Sequence, residues 1–281
     1  MIKYIFSDLD GTLLNQAGQL SEKDIATVKT SPLPISLVSA RSPQEMQATV
    51  EQLALTTPQV AFNGGLIYKP TDLFPMVLAE YPLVTTTVAQ LVAALQTEFS
   101  DISLSAYDLQ HWYTQKIDAG IETEAQLTGL LPTIINFDDQ LKNPFIKIFK
   151  VMLMVPEDEQ RTAVLQFIDQ LHLPGLSVQQ SGTMYVEITS QQATKAQALM
   201  TILKNAGLTP ADCAAFGAGQ NDLSMLSIVG HPIVMGNASD QIQAAGQFIT
   251  KTNHHSGFSY GIKKYITKVN QKVGQNHANY S

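Results

Sequence analysis

Apolar residues fall in short blocks along the chain, and the rhythm of the blocks alternates between that of strands and that of helices. Ile2 to Phe6 is a short apolar run broken at Asp8-Leu9-Asp10-Gly11, the pattern of a buried parallel strand that ends in a functional loop. Ser21 and Asp24 open a helix at capping-box spacing, and Ile35 to Val38 follows Pro34 as a second strand. After Ser39-Ala40-Arg41, the run Ser42-Pro43-Gln44-Glu45 supplies a cap, a proline at the first helical position and the acid that completes a box. Val60 to Phe62 reads as a third strand, and Asn63-Gly64 as a positive-φ turn leading into Leu66-Ile67-Tyr68.

The texture changes between about Leu83 and Tyr185. Here the pattern predicts a helix over Val88 to Phe99, paired strands within Ile102 to Thr114 and a long strand over Ile146 to Val155. Leu165, Ile168 and Leu171 keep helical spacing, and two short strands follow Pro174-Gly175, over Leu176 to Gln180 and Met184 to Ile188. Alternation then resumes with a helix from Lys195 to Ala206 stopped by Gly207, a strand over Cys213 to Phe216, and a helix over Gln220 to Ile228. Short strands at Ile233 to Met235 and Phe248 to Ile249 complete it, and the polar tail after Val269 is expected to be loosely ordered. The fold class expected is α/β: a Rossmann-like parallel sheet core made of 1–82 and 186–281, with an inserted α+β domain at 83–185.

Composition supports two domains, since 281 residues exceed the roughly 150 of one domain, and 44% hydrophobic against 15% charged residues is globular. A net charge of -7 argues against a nonspecific nucleic-acid surface. Cys213 is the only cysteine, so no intrachain disulfide or cysteine-based zinc site is available. The start of the chain lacks the apolar segment of a signal peptide and no stretch is apolar enough to span a bilayer, so a cytoplasmic protein without membrane association is expected. Oligomeric state is not legible.

Two acids two apart, Asp8 and Asp10, project to one side if the backbone stays extended, and Gly11 then lets the chain turn. Such a pair is able to bind a divalent cation, or to attack phosphorus with one carboxylate while the other handles a proton. An EF-hand is excluded, because Leu13 and Gln19 stand where it needs Gly and Glu. Ser39 is placed to donate its hydroxyl to a phosphoryl oxygen or to a local turn. Lys195 begins a helix, where a cation opposes the helix dipole, so an anion is expected beside it. The loop Gly217-Ala218-Gly219-Gln220-Asn221-Asp222 joins a strand to a helix, and its amides and side chains are suited to a phosphate or a metal. It is not a dinucleotide fingerprint, since Asp222 replaces the third glycine and repels a pyrophosphate. Adjacent His254 and His255 give no zinc spacing, and His111-Trp112-Tyr113 fits packing in a strand better than recognition.

Asp8-Leu9-Asp10-Gly11-Thr12, Ser39, Lys195 and Gly217 to Asp222 occur in the order of the four haloacid dehalogenase motifs, and the chain resembles that superfamily over nearly its whole length. Asn63-Gly64, the large insert, Asn221 to Leu226, Met235-Gly236-Asn237-Ala238 and Gly257 resemble its Cof-type phosphatase branch. The resemblance implies a phosphatase acting on a small phosphorylated metabolite, such as a sugar phosphate, with the insert as a cap. By it Asp8 is the nucleophile, Asp10 the general acid and base, and Ser39 and Lys195 stabilise phosphoryl charge. Arg41, Asn63, Gly64 and Asn221 become candidate substrate-binding residues. Magnesium is implied as cofactor, held by Asp8, the Asp10 carbonyl and Asp222. The family pattern Gly-Asp-x-x-Asn-Asp is broken at Ala218, where a metal-binding acid is usual. Two alternatives stand beside hydrolysis: a phosphomutase or phosphotransferase, which uses the same aspartyl phosphate and differs in what accepts it, and, because of Ala218, a phosphate-binding regulatory protein with weakened turnover.

Overall fold

The computed structural model describes residues 1–72 and 74–270, so the tail expected after Val269 lies, from residue 271, outside the described residues. The chain forms two compact units, one from residues 1–40, 47–78 and 194–281, the other from 41–46 and 79–193. No helix among the described residues is long and apolar enough to cross a membrane.

The first unit is built on a five-stranded, all-parallel sheet ordered Phe248–Ile249, His231–Val234, Cys213–Gly217, Tyr4–Ser7, Ile35–Leu37. Its three inner strands are almost entirely buried, as continuous apolar runs require when both faces of a sheet are covered. A parallel bridge between Val38 and Val60 carries the pattern to Gln59–Ala61, which then pairs antiparallel with Leu66–Lys69. Met76–Glu80 completes this small sheet. Tyr4–Ser7 is an inner strand, with the next strand in sequence on one side and Cys213–Gly217 on the other. Strand order therefore reverses there, and the C-terminal ends of these two strands frame the crevice where open α/β sheets bind ligands.

The second unit contains a six-stranded sheet ordered Leu176–Ser181, Tyr185–Ser190, Lys150–Met154, Ser103–Tyr107, Trp112–Thr114, Thr133–Ile134. All pairs are antiparallel except the last. Leu104, Ala106, Val151, Leu153, Val186 and Ile188 make one face of it, packed with Val88, Leu91, Leu95, Val164 and Ile168 of the helices Thr85–Glu98 and Asp158–Gln170.

Tyr185–Ser190 pairs along its whole length inside this sheet, which is why the unit continues to Ala193 and not to the Tyr185 boundary read from the sequence. The first crossing lies between Leu78 and Ala79, near the expected Pro82. The long strand expected over Ile146 to Val155 is regular only from Lys150 to Met154. The expected helix Gln220 to Ile228 is a 3-10 turn at Gln220–Asp222 followed by Leu223–Leu226. The helix Ala119–Thr128 had no apolar rhythm to announce it: only Ile121 and Glu124 of its residues are buried, and Gly120 sits in its first turn.

Asp24 ties the two ends of the first unit together. It is buried, accepts from Ser21 Oγ at 2.6 Å, and accepts from the Ser259 amide and hydroxyl at 2.9 and 2.5 Å. The capping box read from the sequence thus also anchors the helix Gly257–Gly261. Asp24→Ala leaves the Ser259 amide without an acceptor and takes one partner from each of two hydroxyls, whose other contacts are Lys23 O and Ser256 Oγ; it is expected to cost about 1–3 kcal/mol, read as a lower urea midpoint at unchanged m-value. A loss under about 0.5 kcal/mol, the range of ordinary surface substitutions, would show that the contact does not hold the two segments together.

Candidate active site

The strand Tyr4–Ser7 ends with Asp8, whose amide donates to Phe216 O at 3.0 Å, and Leu9 then starts a turn in which Thr12, Leu13 and Leu14 all donate to the Leu9 carbonyl. The regular strand thus gives way to a turn at Leu9, and Asp10 makes an isolated bridge to Leu14, so strand alternation does not by itself set the direction of its side chain, whose charge nevertheless acts on Asp8. Asp8 is buried while Asp10 is exposed. Asp8 Oδ2 accepts from Thr12 Oγ1 at 3.0 Å. That hydroxyl lies four residues on, and in the sequence it is visible only as part of the motif string.

Lys195 is the centre of the site. Its Nζ donates to Asp8 Oδ1 and to Asp222 Oδ1, both at 2.7 Å, and all three side chains are buried. The anion expected beside this misplaced helix-start cation is thus a pair of the protein's own carboxylates. Thr194 caps the helix Lys195–Ala206 by accepting from the Gln197 amide at 3.1 Å.

Asp222 closes the opposite side. Its Oδ2 accepts from the amides of Ala218 and Gly219, each at 2.8 Å. The loop amides that the sequence offered to a phosphate are therefore spent on an acid within the loop. Gly217 permits this, because a Cβ there would lie 2.6 Å from the Asp222 Cβ. Position 218 borders the first loop: a Cβ on Gly11 would come within 3.9 Å of the Ala218 methyl. Asn237, without an assigned role in the sequence reading, donates from Nδ2 to Gly11 O at 2.8 Å and accepts from the Asn253 amide at 3.0 Å.

The third strand contributes a further edge. Ser39 is buried, its amide donates to Val60 O at 3.0 Å, and its carbonyl accepts from the Asn63 amide at 2.9 Å. Asn63, at φ 56°, accepts through Oδ1 from Asn221 Nδ2 at 3.1 Å, so two of the candidate substrate-binding residues are joined to each other. Gly64, at φ +109°, lies against the cap of the lysine helix: a Cβ would stand 2.3 Å from Thr194 O. Its place is explained by that packing. Arg41 belongs to the other unit, where its charge acts on Glu124 and Lys150.

Burial, followed by the Asp222 charge, pushes the Asp8 carboxyl up to about 7 even though Lys195 opposes the shift. Burial alone would lower the Lys195 ammonium, but Asp222 and Asp8 outweigh it and raise it, so the lysine is permanently charged. Two carboxylates against one ammonium leave the buried cluster one charge negative, an arrangement that a cation or a protonation relieves.

A family model of haloacid dehalogenase-like hydrolases matches residues 5–262, taking in every residue of this cluster. The chain belongs to that family. The 5-amino-6-(5-phospho-D-ribitylamino)uracil phosphatase of Bacillus subtilis is 25% identical to it over 295 residues, 95% of this chain and 99% of that protein. The HMP-PP phosphatase of Cronobacter sakazakii is 26% identical, over 92% of this chain and 93% of its own length. Among solved structures, a haloacid dehalogenase-like hydrolase from Bacteroides thetaiotaomicron superposes with a TM-score of 0.82 at 25% identity, covering 94% of this chain and 99% of that one.

Asp8, Lys195, Ala218 and Asp222 all lie within the residues the family model matches, and position 218 of the loop carries a methyl group and no acid. Among the described residues no three His, Cys, Asp or Glu side chains converge as a metal cage. Both Asp222 oxygens are engaged, one by Lys195 and the other by two amides. The donors at hand suit a hard cation that keeps most of its waters, as magnesium does, and not one enclosed by protein ligands.

Gly64→Ala places a Cβ against the Thr194 backbone in a positive-φ conformation. It is expected to destabilise the protein by about 3 kcal/mol through the packing of the lysine helix, read by chemical denaturation. A variant as stable as the parent, but weakened in ligand binding, would return Gly64 to the binding residues.

Proposed function

We propose that the chain is a phosphatase hydrolysing a small phosphate monoester through an aspartyl phosphate on Asp8. The observation that carries this reading is the position of Asp8: a carboxylate at the C-terminal end of the central strand, one oxygen on Thr12 and the other on a buried lysine shared with Asp222. Such a geometry would hold a nucleophile beside a permanent positive charge. The family membership and the names of the Bacillus and Cronobacter relatives, both phosphatases, support the same reaction.

In this mechanism an Asp8 oxygen attacks phosphorus and the P–O bond to the alcohol breaks. Asp10 gives the departing oxygen its proton, then takes a proton from the water that attacks the phosphorus of the aspartyl phosphate, restoring both acids. Lys195 and Ser39 offset charge on the phosphoryl oxygens. Asp8, the Asp10 carbonyl and Asp222 would hold magnesium, which when bound supplies positive charge to the phosphoryl oxygens and offsets the excess negative charge of the cluster. Arg41, Asn63 and Asn221 remain proposed substrate contacts, and the unit formed by residues 79–193 the proposed selector of substrate.

The test is phosphate release from p-nitrophenyl phosphate and a panel of sugar phosphates, with magnesium and with chelator. Turnover with magnesium is expected, and Asp8→Asn should lower it at least about a thousandfold with the fold intact. Metal-dependent turnover retained in Asp8→Asn would falsify the mechanism. No turnover of any ester at saturating magnesium would favour the second reading, a phosphate-binding regulatory protein, for which Ala218 is the specific observation.

Ala218 also sets the expected metal response. Ala218→Asp adds a carboxylate beside the Gly11 loop and should lower the half-saturating magnesium concentration about tenfold or more. An unchanged concentration would mean that the resident acids already supply the missing ligand.

A further inference from the structure

Charge is unevenly distributed along the chain. All 24 acidic residues lie at or before Asp240, while Lys251, Lys263, Lys264 and Lys268 follow it without an acid among them. The fold lays this basic segment against the outer edge of the parallel sheet. The helix Gly257–Gly261 continues through a π-helical turn at Ile262–Ile266, and Phe258, Ile262 and Ile266 bury its inner face. Tyr265 stacks on Phe248 of the edge strand at 4.5 Å between ring centres and donates to Ile249 O at 2.8 Å. The four lysines are left on the outside, all exposed.

Three of them converge on one ring. The Lys251 Nζ lies 4.8 Å from the centre of the Tyr260 ring, and the Lys264 Nζ lies 5.1 Å from the same centre and 5.2 Å from that of Tyr265. Tyr260 and Tyr265 meet edge to face at 6.4 Å. A hydrogen bond from Lys264, and then the charges of Lys264, Lys251 and Lys268, hold the Tyr260 phenol below the ordinary tyrosine value. Among the described residues no ion pair joins any of the four lysines to a carboxylate. Like charges gathered on one surface repel, and an intervening acid would relieve them. Exposed lysines ordinarily sample many rotamers, whereas here the rings restrain two ammonium groups. A π turn inside a helix is itself a frequent mark of a functional site.

We infer that the surface around Tyr260, formed by Lys251, Lys264 and Lys268, binds a compact polyanion carrying several linked phosphate groups. A single phosphate or sulfate engages fewer of these ammonium groups and leaves the rest repelling each other, while linked phosphates reach them together. A nucleic acid or an anionic membrane is disfavoured, since either would extend beyond the patch over a protein whose net charge is -7. Nor is a stacking platform free for a base, with lysines over Tyr260 and Phe248 against Tyr265. The inference goes beyond phosphoryl transfer and does not require it.

Inorganic triphosphate is the probe, titrated by calorimetry into the full chain in buffer freed of divalent cations. Saturable binding is expected, about tenfold or more tighter than that of sulfate, and weaker at about 200 mM than at 50 mM salt. Lys251→Gln and Lys264→Gln should each weaken it about tenfold, Lys251→Arg should restore most of it, and Lys204→Gln, in another helix, should leave it unchanged. Exposed lysines are replaced with little loss of stability, and circular dichroism verifies each fold. Bound triphosphate should also move the alkaline titration of Tyr260, read as the absorbance difference between the parent and Tyr260→Phe, to higher pH, because it offsets the lysine charges. The inference is overturned if triphosphate does not bind, or if the folded triple variant Lys251→Gln, Lys264→Gln, Lys268→Gln binds it as the parent does, which would place it elsewhere on the chain. It is equally overturned if phosphatidylserine vesicles or duplex DNA bind the parent more tightly than triphosphate does. Binding without metal and turnover with magnesium are separate measurements, so either is able to fail alone.

Discussion

The arrangement of the first unit depends on one buried ammonium. Lys195 joins Asp8, from the end of the central strand, to Asp222, from the loop after the neighbouring strand, with two contacts of 2.7 Å. Taking three charges out of water is costly, and removing the middle one would leave two buried carboxylates facing each other. The surrounding details serve to keep that lysine in place. Gly64 lets a turn close on the cap of its helix, and Gly217 lets Asp222 come near enough to bridge and to hold the loop amides. A cation at a helix start is normally unfavourable; here the two acids reverse the local field and the raised ammonium is the result.

Much of this was legible because it rests on local rules. The run Ile2 to Phe6, the boxes at Ser21 and Ser42 and the glycine stop at Gly207 each depend on a few neighbouring residues, and each has its structural counterpart. The charge of Lys195 announced an anion, but sequence could not tell a ligand from Asp8 and Asp222, which lie 187 and 27 residues away. The same limit hid Thr12, Asn237 and the closure of the loop by Asp222, where the partner is chosen by the fold. Asp10 is a different case: alternation holds only in a strand, and the strand ends at Ser7, so alternation alone does not place this side chain, although its charge does act on Asp8. Helix Ala119–Thr128 went unread because it covers a polar face, so it has no apolar stripe.

The two units use buried charge differently. In the first, the ionic cluster is tightly paired, and every Asp222 oxygen has a partner. In the second, Lys150 sits over the Tyr107 ring with Glu187 at 4.0 Å, an arrangement spread over a sheet face and not closed on one ammonium. Tight pairing fixes a geometry, as a nucleophile requires.

Ala218 acts on the first cluster through charge balance. Asp8, Asp10 and Asp222 already set three carboxylates against one ammonium, and the Asp8 carboxyl is pushed up to about 7 by burial and by Asp222. A fourth acid at position 218, beside the Gly11 loop, would add to that repulsion whenever no cation is bound. The methyl group thus changes two quantities in opposite directions. It removes a ligand for a hard cation, and it lowers the electrostatic cost of the metal-free state. An acid at 218 would therefore make the site lean more on a bound cation, whereas here Lys195 alone serves both buried acids and holds Asp8 at the end of its strand.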